Sequence, residues 1–176
     1  FAWDDIRMII SRTGYTGELG YELYLPAAGA PNVWDRLLEA GRPLGIKPAG
    51  LGARDLLRLE MAYLLYGNDM NEETTPIEAG AEWVVKFDKG DFIGRTELLA
   101  QQSQGAARRL VAFELVEKAV PRHGFKILSA QVPHVEIGEV TSGDLSPLLQ
   151  KGIGMGYVMP AAAQPGSSIL IDIRGK

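Results

Sequence analysis

The chain has 176 residues and a net charge of −4, with 46% hydrophobic and 23% charged residues. This balance is typical of a globular protein with a sizeable core, and it excludes the basic surface that holds nucleic acid or an anionic membrane. The sequence has no cysteine, which excludes disulfides and thiolate sites, and its two histidines do not have metal-ligand spacing. We therefore expect no nucleic acid, membrane or metal among its partners.

A glycine-rich segment, residues 12–20, separates two predicted strands. Residues 7–11 and 21–25 have strand character and are expected to form an antiparallel hairpin with a long connection. Alternation in the second strand places Glu22 and Tyr24 on one face. A carboxylate beside an aromatic ring suits a pocket for a flat, nitrogen-rich ring, because it accepts two parallel N–H bonds. On pattern alone, a solvent-facing Glu22 on an ordinary hairpin is the simpler interpretation.

Two helices are predicted next, over residues 31–40 and 51–61. The first begins at a proline, precedes a glycine and carries an apolar stripe of Trp34, Leu37 and Leu38. This pattern predicts a helix that packs with the stripe inward.

The second helix is predicted to be mostly buried, with one charged stripe. Arg54, Asp55 and Arg58 fall within roughly 100° of arc on a helical wheel. Asp55 is placed to pair with Arg58, which leaves Arg54 to meet a ligand anion. An internal ion-pair network that includes Arg54 explains the stripe equally well.

The remainder of the chain changes character. Residues 63–76 are expected to be irregular, residues 82–87 to form a strand and residues 94–103 a helix. Short strands separated by glycine and proline then predict a small antiparallel barrel or sandwich. These strands are expected at residues 110–115, 126–128, 136–141, 154–159 and 169–173. The whole pattern indicates an α+β fold with two domains, residues 1–87 and 88–176.

Several motifs in fixed order resemble the aminomethyltransferase (T-protein) family of the glycine cleavage system. The resemblance covers nearly the whole chain, and no single motif carries it. The matching segments are residues 13–18, 20–22, 50–55, 58–60, 65–70, 91–95, 140–143, 146–147 and 155–158.

The resemblance implies the C-terminal part of an α/β folate-binding domain followed by an antiparallel β-barrel. It also implies a transferase that takes an aminomethyl group from the lipoyl arm of the H-protein, releases ammonia and passes the carbon to tetrahydrofolate. In this family a glutamate matching Glu22 holds the pterin ring, and an arginine matching Arg54 lines the folate site. Tyr15, Glu18 and Tyr24 are weaker candidates.

The chain also departs from the family pattern. The family's catalytic aspartate lies in an N-terminal half that no stretch of this sequence matches, so we expect a fragment with no catalytic residue that is inactive alone. The resemblance implies a bacterial cytoplasmic protein, or a mitochondrial one if the source is eukaryotic. Two alternatives remain: a folate-dependent demethylase relative and a non-catalytic folate-binding protein.

Overall fold

A computed structural model describes residues 2–3 and 5–175, and it divides the chain into two compact units, residues 1–61 and 62–176. The first unit holds paired short strands and two helices, and the second holds an irregular segment, one helix and a five-stranded antiparallel sheet. The predicted α+β class is therefore confirmed. The predicted domain boundary after residue 87 stays a prediction.

The first unit contains two short antiparallel strand pairs. Strand β1 (Ala2–Trp3) pairs with β2 (Ile6–Arg7), and β3 (Ile9–Ser11) pairs with β4 (Glu22–Tyr24). The predicted hairpin is present, but the single strand predicted over residues 7–11 is wrong. It is interrupted at Met8, whose side chain is buried, and each part pairs with a different partner.

Helix α1 (Ala30–Gly41) has the predicted position, with proline in its first turn. The predicted inward stripe is wrong in two members, because Trp34 and Leu37 are exposed, and the buried residue of the helix is Val33. The buried face also includes Arg36, three residues after Val33, whose guanidinium carbon lies 4.7 Å from the Trp3 ring centroid. Trp34 is turned about 100° away from Val33 and points outward.

Helix α2 (Leu51–Glu60) also has the predicted position, and it begins after an extended glycine. Leu59 and Arg58 are buried, but Leu51 and Leu57 are exposed. The prediction of a mostly buried helix is therefore wrong, since the apolar residues surround the helix while the buried face is narrow.

The second unit begins with the irregular segment that was predicted for residues 63–76. Short 3-10 turns then occupy Glu82–Val84 and Phe87–Lys89, so the predicted strand over residues 82–87 is wrong. Its alternation is too short to fix a strand without a pairing partner, and no described strand pairs with it. Helix α3 (Arg95–Gln104) follows close to its predicted position. In the part of the chain that the structure describes, no helix is long and apolar enough to cross a membrane.

Five antiparallel strands form the sheet, in the order β5-β8-β7-β6-β9. Its core is the buried cluster of Ile127, Val140 and Val158, covered by half-buried apolar side chains from neighbouring strands. All five strands lie close to the predicted positions, although β7 extends further than expected. They are β5 (Arg109–Glu114), β6 (Lys126–Ser129), β7 (Glu136–Ser146), β8 (Lys151–Val158) and β9 (Ile169–Ile171).

A buried carboxylate attaches the irregular segment to this sheet. Asp69 Oδ1 accepts hydrogen bonds from Thr141 Oγ1 at 2.5 Å and Ser142 Oγ at 2.7 Å, and Oδ2 accepts from the Leu65 amide at 2.9 Å. The Tyr157 hydroxyl donates to the Asp69 carbonyl at 2.7 Å. The register of β7 on β8 shifts between Val140 and Ser142, and this bulge lets two consecutive hydroxyls reach one oxygen.

Candidate functional site

Glu22 is the first residue of strand β4, directly after the glycine-rich segment of the first unit. Strand β4 places it opposite Ser11 on β3, with its side chain exposed as the alternation predicted. Its Oε2 accepts a hydrogen bond from the Thr13 hydroxyl, and Thr13 Oγ1 lies 2.9 Å from Ser11 Oγ. Oε1 has no hydrogen-bond donor among residues 2–3 and 5–175. The carboxylate is thus oriented on one side and open on the other.

Arg54 projects from the first turn of α2 and is exposed. Its guanidinium carbon lies 4.6 Å from the centroid of the Tyr15 ring, which is a cation–π arrangement. No side-chain N–H of Arg54 has an acceptor within the described part of the chain. Stacking fixes the plane of the guanidinium and leaves its donor edge available for a carboxylate or carbonyl oxygen.

The second arginine of the predicted charged stripe has a different environment. Arg58 Nε donates to Asp55 Oδ1 at 2.7 Å, and the Arg58 side chain is 1% exposed. The predicted Asp55–Arg58 pair is therefore confirmed. Because burial of an unpaired charge is costly, this pair serves the helix rather than a ligand. Arg54 remains the arginine that is available for binding.

One glycine-rich segment contacts both candidate residues. Thr13 contacts Glu22 and Tyr15 contacts Arg54, although no described ion pair joins Glu22 to Arg54 directly. Gly17 has a φ of +77°, a conformation that favours glycine and turns the segment back toward α2. The segment therefore contacts both an acceptor group and a donor group, which suits the binding of a ligand that carries both polar types.

The remaining sequence candidates have mixed outcomes. Tyr15 takes part through its ring, whereas the amide of Glu18 donates to Thr16 Oγ1 at 3.4 Å within the turn and Tyr24 is exposed beside Glu22 on β4. Sequence reasoning missed Thr13. Thr13 lies two residues after the end of β3, and the pairing of β3 with β4 places Glu22 opposite Ser11. This position was the available signal, because hydroxyl residues at strand ends bond to nearby carboxylates.

Two family models match this chain. Residues 1–89 match the model described as the GCVT N-terminal domain, and residues 108–176 match the glycine cleavage T-protein C-terminal barrel domain. The first match includes the unit that holds the candidate site and extends beyond it, and the second match includes the antiparallel sheet. The predicted barrel class is therefore confirmed.

Individual proteins support the same family. The chain is 56% identical over 169 residues to an aminomethyltransferase of Halothermothrix orenii, which covers 96% of this chain and 46% of that protein. It is 50% identical over 170 residues to an aminomethyltransferase of Phocaeicola vulgatus, again with 96% and 46% covered.

A solved structure is also similar. The crystal structure of glycine cleavage system aminomethyltransferase T from Bartonella henselae matches with a TM-score of 0.86 and 35% identity, over 95% of this chain and 46% of that chain. The chain thus spans about half the length of the relatives that it matches. From the family models and these relatives together, the chain belongs to the glycine cleavage T-protein family.

Proposed function

We propose that this chain forms one wall of a tetrahydrofolate site in an aminomethyltransferase of the glycine cleavage system. The observation that carries the proposal is that one glycine-rich segment contacts both an open carboxylate, Glu22, and an open guanidinium, Arg54. Relatives with 56% and 50% identity are named aminomethyltransferase. Glu22 and Arg54 are the residues that we assign to folate contact.

The chemistry of the two groups fits this ligand. The pterin ring presents adjacent N–H donors, which a carboxylate with an unoccupied oxygen accepts in parallel. The Thr13 hydroxyl holds the second oxygen of Glu22 and so reduces the rotational freedom that binding would otherwise cost. Arg54 offers donors to the oxygens or carboxylates of the folate, with its plane fixed by Tyr15.

The proposed reaction follows from the family. Tetrahydrofolate accepts the one-carbon unit from the aminomethyl-lipoyl arm of the H-protein, ammonia is released, and 5,10-methylene-tetrahydrofolate is formed. In this scheme the residues of this chain bind and orient the folate. The bacterial sources of the similar aminomethyltransferases support a bacterial cytoplasmic location.

A titration of the chain with tetrahydrofolate, followed by tryptophan fluorescence, tests the assignment. We expect saturable binding, and we expect Glu22→Ala and Arg54→Ala each to weaken it about tenfold or more, because each removes hydrogen bonds to a charged group. The matched controls are Glu39→Ala and Arg42→Ala, which remove exposed charges of the same sign elsewhere in the first unit. These controls are expected to bind like the unaltered chain.

The outcomes separate the alternatives. Binding that both site variants retain contradicts the assigned folate wall. Absence of saturable binding would indicate that the pocket needs both of its walls, and the same two variants are then compared in the longer protein. Folate binding that depends on Glu22 and Arg54 in a protein that demethylates another substrate, and does not accept aminomethylated H-protein, favours the demethylase alternative. The same binding without any transfer in the longer protein favours a non-catalytic folate-binding role.

A further inference from the structure

We infer that Met61 is a positioning residue for the candidate folate site, and this inference rests on the proposed function. Its thioether holds the glycine-rich segment against the end of α2 at Gly17. In this way it sets where Tyr15 lies over Arg54 and where the segment meets Glu22. Met61 itself is not assigned to ligand contact.

The contact between Met61 and Gly17 is direct. A Cβ atom placed on Gly17 would lie 2.5 Å from Met61 Cγ, 2.6 Å from Sδ and 3.0 Å from Cε. The methionine side chain therefore rests on the bare Gly17 backbone, in space that any other residue would fill. Although Met61 is 47% exposed, its covered part faces this turn.

The helix geometry explains why this contact matters for the site. Met61 follows the last residue of α2 and its amide still donates to the Arg58 carbonyl at 3.2 Å, so it continues the helical path. Arg54 and Met61 are seven residues apart, which places them about two turns apart on the same helical face. The segment lies along this face, with Tyr15 against Arg54 and Gly17 against Met61.

The segment is thus held at successive points. Thr13 is bound to Glu22, Tyr15 is stacked on Arg54 and Gly17 is packed on Met61. The first contact belongs to the hairpin and the other two belong to α2. Loss of the Met61 contact would allow the segment to move away from α2, which would change the placement of the Tyr15 ring relative to the guanidinium. An unbranched thioether suits this position because it packs against an irregular backbone.

The test uses two readouts on the chain, one without ligand and one with it. Because the Arg54 guanidinium lies over the Tyr15 ring, its side-chain protons are expected to show ring-current shifts in the NMR spectrum, and Tyr15→Leu should abolish them. We expect Met61→Ala to reduce these shifts and to weaken tetrahydrofolate binding about tenfold, through a coupling of the usual size. Met61→Leu, which preserves volume, should restore both.

The matched control is Met159→Ala, which truncates a methionine of similar exposure, 55%, in the second unit. It should change neither readout. Far-UV circular dichroism establishes that each variant is folded, as expected for truncation of a half-exposed side chain.

Each result decides the inference. If Met61→Ala leaves the Arg54 resonances unchanged, or if Met61→Leu fails to restore them, Met61 does not position the segment. If Met61→Ala shifts the resonances while Glu22→Ala and Arg54→Ala leave folate binding intact, the positioning of Arg54 stands and the proposed function is wrong. Altered resonances with unaltered folate affinity would overturn the role of Met61 in the site.

Discussion

Asp69 is an acidic side chain with no exposed surface, placed in a segment that has neither helix nor strand around it. Two hydroxyls and one backbone amide donate to its carboxylate, and these hydrogen bonds stabilise the buried charge. Such bonds to a charged acceptor are stronger than neutral ones. Asp69 is therefore a structural organiser of the irregular segment.

We expect Asp69→Ala to lower the free energy of unfolding by about 2–4 kcal/mol, because it removes a buried acceptor to which two hydroxyls and one backbone amide donate. Urea denaturation followed by circular dichroism measures the effect. Asp91→Ala, at an exposed position in the same unit, is the control and should change the stability little. A similar small change for both variants would contradict the role of Asp69.

Ionisation of Tyr157 is expected to lower the stability of the second unit at alkaline pH. Burial raises the pKa of Tyr157 above its ordinary value of 10.0, and the neighbouring Arg108 guanidinium, 4.4 Å from the ring centroid, partly offsets the rise. Because the pKa is higher in the folded chain than in the unfolded chain, the protonated hydroxyl favours folding. Its contribution is complete below pH 10 and is lost as the pH rises through the folded-state pKa.

We therefore expect the free energy of unfolding to fall as the pH is raised above 10, and part of this fall to be absent in Tyr157→Phe. The phenylalanine variant should also be less stable at pH 8, because it loses the hydrogen bond to the Asp69 carbonyl. Urea denaturation at pH 8 to 11 compares the two proteins. Parallel pH profiles would contradict the assignment, since all other titrating groups are shared.

At the scale of elements, the packing of strand β8 in the sheet depends on glycines. Glycine alternates with larger residues along it, and a Cβ on Gly156 would lie 2.5 Å from the Glu139 carbonyl oxygen and 2.7 Å from Ile127 Cδ1. The Glu139 carbonyl is part of the backbone, so it cannot move aside as the end of a flexible side chain can. The glycines of β8 therefore allow a close approach of neighbouring backbone within the sheet.

We expect Gly156→Ala to lower the free energy of unfolding by about 1–3 kcal/mol through overpacking. Gly52→Ala is the matched substitution in a helix, where nothing lies within 4 Å of the new Cβ. It should raise stability by about 0.5–1 kcal/mol, because alanine favours the helix. Thermal denaturation of both variants tests the contrast, and equal effects of the same sign would refute this account of β8.

The elements show what a single sequence can reveal. Helix α2 and its Asp55–Arg58 pair follow from 3.6-residue periodicity, and the outward direction of Glu22 follows from strand alternation. Periodicity cannot reveal Asp69, because its partners come from distant strands and its own segment has no period. The strand expected at residues 82–87 was wrong for a related reason. Alternation is a property of one segment, whereas a strand also requires a second segment to pair with.

At the candidate site, prediction also reached a definite limit. Glu22 and Arg54 could be selected by residue type, position and family resemblance, and their folate contacts stay predictions. Their common contact with one segment could not be selected, because it depends on the path of the chain through Gly17. The role inferred for Met61 is invisible in the sequence, where it reads as one more apolar residue of a helix.

At the scale of the whole molecule, the chain spans 46% of the aminomethyltransferases that it resembles. We expect the purified chain not to form 5,10-methylene-tetrahydrofolate or release ammonia from aminomethylated H-protein, even where it binds tetrahydrofolate. The family resemblance assigns the catalytic aspartate to a region that this sequence does not match. A coupled assay beside a relative at its full length measures this, and detectable turnover by the chain would overturn the expectation.

The attachment of Asp69 to the sheet also bears on the order in which the chain folds. Its bonds to Thr141, Ser142 and Tyr157 join residues separated by 72, 73 and 88 positions. Closing such long loops costs entropy before any bond compensates, whereas β7 and β8 are joined by a short connection. The β7–β8 hairpin is therefore expected to form early, and residues 63–76 are expected to bind to it late. That segment is then the first to be released in transient openings, and a protease that samples them would cut there while the sheet persists.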